Sequence, residues 1–177
     1  MLQNYNKWRV LQVFFDSPLA EGGWRLREIS RKVRLAPPSV KSYLQELRKG
    51  MLITQKKDRN GNPHYYARRD EDLFKFYRRL DIIQRIKCTG LLQGLQERCL
   101  PTAIILFGSA ARGEDTESGD VDIYVGSKKV EINLKKFEKE LRRKVNLLFE
   151  EDFHKLSKEL KNNILNGIIL SGYVKVF

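Results

Sequence analysis

The 177-residue chain carries 34 Lys/Arg against 22 Asp/Glu, a formal net charge of +12, and 41% of its residues are hydrophobic. That balance permits a packed core and argues against wholesale disorder. No apolar run approaches the ~20 residues that cross a bilayer and the first residues lack a signal peptide's apolar core, so the expectation is a cytoplasmic protein with no membrane partner.

The charge is unevenly placed. Residues 1–70 carry 15 Lys/Arg and 6 Asp/Glu, residues 71–100 carry 6 and 4, and residues 101–177 carry 13 and 12. A strongly basic N-terminal unit joined to a nearly neutral C-terminal one suggests two domains, with an anionic partner for the first. Charge alone does not separate nucleic acid from a solvated basic face.

In chain order, Tyr5 to Phe15 places Trp8, Leu11, Val13, Phe14 and Phe15 close to one helical stripe, ended by Asp16-Ser17-Pro18. Leu26, Ile29 and Val33 share a face of a second helix. Pro37-Pro38 breaks it and opens a third, because proline is tolerated in a first helical turn. There Val40, Leu44 and Leu47 follow an i, i+4, i+7 pattern, and Gly50 is the expected stop. LITQKK and HYYARR flank DRNGNP, which predicts a hairpin turning at Asn60-Gly61.

Residues 3–70 resemble a winged helix-turn-helix domain in helix order, core spacing and wing. The resemblance implies duplex DNA as partner. With Val40, Leu44 and Leu47 inward, Ser39, Lys41, Ser42 and Gln45 face outward to enter a major groove. Lys56, Lys57 and Arg59 on the wing are placed to reach phosphates. The rival is a protein-binding winged helix with a solvated basic face.

Residues 71–100 form the expected helical connector, with Leu73, Phe76, Tyr77, Leu80, Ile83 and Ile86 at intervals of three and four and a break near Thr89-Gly90. Two readings stand: a helix packed on one of the domains, or a helix that pairs two copies into a homodimer. Cys88 and Cys99 read as reduced thiols rather than as a metal site or disulfide.

From residue 101, Ala103–Phe107 is an apolar strand, Gly108-Ser109 a tight turn, and the next residues a helix start whose amides can face an anion. Glu114, Asp115, Glu117, Asp120 and Asp122 crowd the following stretch. Val121–Val125 reads as a strand. Alternation sends Val121, Ile123 and Val125 one way and Asp120 and Asp122 the other. Two carboxylates on one face repel unless a cation such as Mg2+ lies between them.

Gly108, Ser109, Ala111, Arg112 and Gly113, then Asp120 and Asp122, resemble the GSxARG…DxD signature of the minimal nucleotidyltransferases of the DNA polymerase β superfamily. Gly119 stands where that family usually has serine. ILNGIILSG near residues 164–172 resembles the family's closing helix and strand.

The resemblance covers about residues 100–177. It implies that Gly108 and Ser109 hold a nucleoside triphosphate and that Asp120 and Asp122 hold magnesium as the catalytic, metal-binding pair. A nucleoside monophosphate would then pass to an acceptor. Arg112 has two readings, a phosphate contact or a structural pairing with a nearby carboxylate. Minimal nucleotidyltransferases often accompany a small helical partner protein in toxin–antitoxin pairs, so such a partner also follows from the resemblance.

The family's third carboxylate is missing. Its expected place on the strand Lys144–Phe149 holds Asn146, an amide that brings no charge and cannot act as a base. Glu150 has the same parity but lies about 13 Å further along at ~3.3 Å per residue. The expected architecture is therefore α+β: a winged helix-turn-helix at 1–70, a helical connector at 71–100, and a nucleotidyltransferase-like mixed sheet with helices at 101–177. The activity expected is a DNA-binding, magnesium-dependent nucleotidyltransferase. The alternative is a non-enzymatic DNA-binding regulator whose degenerate domain senses nucleotide or binds a partner protein.

Overall fold

The computed structural model describes residues 5–175, so residues 1–4 of the expected N-terminal domain and residues 176–177 of the C-terminal one lie outside the described residues. Among the described residues there are eight α-helices, one 3-10 turn and two sheets, a mixed α+β architecture. The chain divides into two compact units, Met1–Arg78 and Arg79–Phe177.

The first unit contains α1 (Tyr5–Asp16), α2 (Leu26–Val33), α3 (Pro37–Lys49), β1 (Ile53–Lys57), β2 (Pro63–Ala67) and the start of α4 (Asp72–Cys88). Its core gathers Val10, Phe14 and Phe15 of α1, Ile29 and Val33 of α2, Val40, Leu44 and Leu47 of α3, then Ile53, Tyr65 and Phe74. Each such side chain contributes about 1.5–3 kcal/mol by leaving water. Phe15 and Phe74 meet edge to face at 5.1 Å, a favoured aromatic geometry.

Helix α2 opens with the Glu28 carboxylate accepting the Arg25 backbone N–H at 2.8 Å. Helix α3 carries proline in its first turn, where no amide partner is needed. It ends at Lys49 with Gly50 (φ −77) as its cap, and the left-handed residue is the next one, Met51 (φ 60). Gly50 closes the helix, donating its N–H to Glu46 O at 2.9 Å, and the chain reverses one residue later.

Strands β1 and β2 form an antiparallel hairpin, and Trp24 adds one further rung by exchanging two 2.9 Å hydrogen bonds with Tyr65. Gly61 (φ 80) makes the turn. Asp58 holds that turn, accepting from the Asn60 and Asn62 backbone N–H groups at 2.9 and 2.8 Å. Those bonds favour the carboxylate, led by that from Asn62, and hold its pKa below the usual value.

Helix α4 buries only part of the apolar stripe expected from its spacing: Ile86 is buried and Tyr77, Leu80 and Ile83 partly so. Phe74 is buried in the first unit and Ile82 and Ile86 in the second, while Leu73 and Phe76 are each 45% exposed. Apolar residues cover a wide arc of this helix, and only packing selects which part turns inward.

The second unit continues with α5 (Leu91–Cys99), β3 (Ala103–Phe107), α6 (Gly108–Arg112), β4 (Val121–Val125), α7 (Lys135–Leu141), β5 (Val145–Phe149), a 3-10 turn at Phe153–Lys155, α8 (Lys158–Leu165) and β6 (Ile168–Gly172). The sheet order is β5-β4-β3-β6. β3 pairs antiparallel with β4 and with β6, whereas β4 and β5 are parallel. A parallel pair needs a crossover, which the segment containing α7 supplies.

One sheet face, with Ile104, Leu106, Val121, Ile123, Val125 and Val145, packs with Ile86, Leu91, Leu95 and Leu141. The other face buries Ile105 and Tyr124 with Phe153 and Ile164. Both cysteines are free thiols. Among the described residues, no helix is long and apolar enough to cross a membrane.

Candidate active site

The apolar run Ala103–Phe107 forms an inner strand, paired with β4 on one edge and β6 on the other, and both of its faces are covered. Directly after it the chain turns at Gly108 (φ 73) into the single turn of α6. A Cβ at Gly108 would lie 2.7 Å from Asp122 Oδ2. Glycine is favoured by the left-handed backbone, and any side chain here would push the Asp122 carboxylate aside.

Strand β4 keeps the alternation: Val121, Ile123 and Val125 are fully buried, while Asp122 is half-buried on the opposite face. Asp120, also half-buried, lies one residue before the strand. Phe107 is the cross-strand partner of Asp122, so the acids sit where β3 ends and β4 begins.

Register in the parallel pair sets Asn146 directly beside Asp122. Its Nδ2 donates to Asp120 Oδ2 and to Asp122 Oδ1, both at 3.1 Å. Only the NH2 end of an amide can donate twice, so this network orients the side chain. The two carboxylates are therefore drawn together by a neutral donor. Among the described residues, no group of three or more His, Cys, Asp or Glu side chains is placed to hold a metal. Two carboxylates do fit magnesium of the kind held by one or two acids with substrate phosphates completing the shell, and rotation of Asn146 would present its amide oxygen.

Residues 88–171 match the model of the nucleotidyltransferase domain family. No curated protein and no solved structure matched the chain. The matched span contains the glycine turn, both aspartates and Asn146. It supports nucleotidyltransferase-type chemistry for this part of the chain and implies a nucleoside triphosphate substrate.

Around the nucleotidyltransferase-like site, Glu114, Asp115 and Glu150 are engaged elsewhere. Arg112 Nε pairs with Glu114 Oε2 at 2.9 Å, the carboxylate pairing that was one of its two readings. Asp115 is buried and ion-paired with Arg143, whose Nη1 also donates to the Thr116 carbonyl at 2.9 Å. This pair ties the loop before β4 to the turn before β5. Sequence reasoning missed it, although an acid and an arginine flanking one crossover were visible. The Glu150 carboxylate accepts the Asp152 backbone N–H at 3.0 Å, which directs it to the chain after β5.

In the first unit, Ser39, Lys41, Ser42 and Gln45 are all exposed on α3, opposite buried Val40, Leu44 and Leu47. Lys56, Lys57 and Arg59 are exposed on the hairpin, with Lys56 Nζ 5.5 Å from the Tyr66 ring centroid. A group absent from the sequence reading surrounds the hairpin base. His64 approaches the Gly22 carbonyl through Nδ1 and Asp58 Oδ2 through Nε2 at 3.3 Å, and Arg25 Nε donates to His64 Nε2 at 3.2 Å.

Proposed function

We propose that the second unit binds a nucleoside triphosphate with magnesium at Asp120 and Asp122 and transfers the nucleoside monophosphate to an acceptor. The observation that carries this reading is the pair of half-buried carboxylates at the start of β4, with Asp122 against Gly108. Gly108 and Ser109 would face the phosphates, with Gly108 leaving no side chain between them and Asp122. The metal, when bound, would stabilise negative charge on the phosphate oxygens. Asp120 and Asp122 hold their oxygens on the same side of β4, and Asn146 sets the spacing between them. Arg112 is engaged by Glu114, which favours positioning of the turn over phosphate contact.

A second reading, nucleotide sensing without transfer, is favoured by Asn146. Its amide stands beside the acids and cannot accept the acceptor hydroxyl's proton, assistance typically worth ~10²–10⁴-fold in rate.

We also read the first unit as a winged helix-turn-helix that binds duplex DNA through α3 and the β1–β2 wing. Its support is the three-helix core, the basic hairpin and an exposed polar face on α3.

Calorimetry of nucleoside triphosphates with magnesium tests the site. Asp120→Asn combined with Asp122→Asn should abolish metal-dependent binding with the fold retained, and unchanged affinity would refute it. Transfer from each labelled triphosphate then separates the two readings: binding with no transfer to any acceptor favours the sensor.

A further inference from the structure

We propose that Arg27 and Arg31 on α2, with Arg34 at its C-terminal cap, form a second phosphate-binding stripe for duplex DNA, beside the α3 surface and separate from the wing. The inference rests on the DNA-binding reading of the first unit and assigns it residues that the groove-facing pattern of α3 does not include. Arg27 and Arg31 are one helical turn apart and share a face of α2, and Arg34 follows in the left-handed residue that caps it (φ 52). All three are exposed. With Ser30, Leu35 and Pro37 they line one concavity of about 520 Å³.

Nothing within α2 neutralises this stripe. Its one acid, Glu28, is turned to the Arg25 backbone N–H. The Arg31 guanidinium donates only to the Arg27 carbonyl, at 3.4 Å, among the contacts of these three side chains. Like charges three and four residues apart oppose helix formation by a few tenths of a kcal/mol per pair. An anion bound along the stripe would relieve that repulsion. Guanidinium groups suit phosphodiester oxygens because their fork donates two parallel hydrogen bonds.

Position selects DNA backbone over an isolated phosphate. The concavity ends at Pro37, and Pro37, Lys41 and Gln45 recur every four residues along α3. The stripe thus runs into the side of α3 that carries two of the groove-facing candidates. A strand of backbone crossing α2 would lead into the groove that α3 enters, a division between positioning and reading contacts common to such interfaces.

The test uses the full chain and a mixed-sequence DNA duplex, with binding followed by anisotropy over a salt series. Each phosphate contact adds about 0.9 to the slope of log affinity against log salt. The triple variant Arg27→Gln/Arg31→Gln/Arg34→Gln should lose about 2–3 units of slope. Between about 50 and 200 mM salt, wild-type affinity should fall on the order of 40-fold further than that of the variant.

The loss should be equal on unrelated sequences, and the corresponding triple lysine variant should restore most of the slope. Thermal melting must show the triple glutamine variant no less stable than wild type. If it unfolds, the double variant Arg27→Gln/Arg31→Gln, which leaves the left-handed residue 34 intact, should show about two-thirds of the triple variant's slope loss.

An unchanged slope in the glutamine variants, with Lys56→Gln/Lys57→Gln still lowering it, overturns the stripe and leaves the DNA-binding reading standing. A loss that depends on sequence overturns its assignment to phosphate. Wild type that binds no duplex at low salt overturns the reading and the stripe together.

Discussion

Replacing Asn146 by aspartate converts the donor between Asp120 and Asp122 into a third negative charge. Two hydrogen bonds to carboxylates, both 3.1 Å, are lost. Bonds to charged groups contribute about 1.5–3 kcal/mol each when shielded, and a new like charge at ~4 Å adds about 1–4 kcal/mol between the water and near-surface limits. Asn146 is exposed, which brings the net effect toward the low end, about 1–2 kcal/mol. For a domain of ~100 residues that corresponds to about 5–15 °C in Tm.

The same charge should strengthen magnesium binding, roughly ten-fold for 1.4 kcal/mol. Melting curves with and without magnesium should therefore cross: Asn146→Asp is less stable than wild type in chelator and gains more from the metal. Calorimetric titration gives the affinity directly. Equal stability in chelator together with equal magnesium affinity would refute the claim that this amide holds the two acids together. If transfer activity also rises in the variant, the missing base is the defect; if the metal binds tighter and transfer stays absent, sensing gains.

Three further outcomes are expected. Gly108→Ala imposes a left-handed backbone on a residue with a side chain, a cost of about 1–2 kcal/mol, and displaces Asp122; calorimetry should show metal-dependent nucleotide binding lost while far-UV circular dichroism is unchanged. Arg143→Ala strips a buried carboxylate of its ion-pair partner and should cost about 3 kcal/mol or more in urea unfolding, whereas Arg112→Ala, whose pair is exposed, should cost under about 1 kcal/mol. Asp58 has a lowered pKa, so its contribution to the β1–β2 turn is complete above the ordinary carboxylate value and is lost as pH falls through the lowered one. Hydrogen exchange at Asn60 and Asn62 should rise in that acidic window in wild type and be fast at every pH in Asp58→Ala.

Local chemistry carries much of this architecture in plain view. The i, i+4, i+7 spacing of Val40, Leu44 and Leu47 orients α3, and Asn60-Gly61 makes a hairpin turn because glycine adopts positive φ without strain. Alternation along Val121–Val125 is enough to send Asp122 away from the core, since successive strand residues face opposite sides. These are properties of neighbours in sequence.

Contacts between distant residues required the tertiary structure. Asn146 lies twenty-four residues from Asp122, and only the parallel register of β4 with β5 sets its amide between the two acids. Whether Arg112 or Arg143 meets a given carboxylate follows from how the crossover folds back, which no periodicity encodes. The inward face of α4 was equally undetermined, because its apolar arc is wide enough to allow several and packing chose Phe74, Ile82 and Ile86. A helix or strand specifies its own faces; which residues meet across two of them depends on register and docking, whose free energy is spread over the whole core.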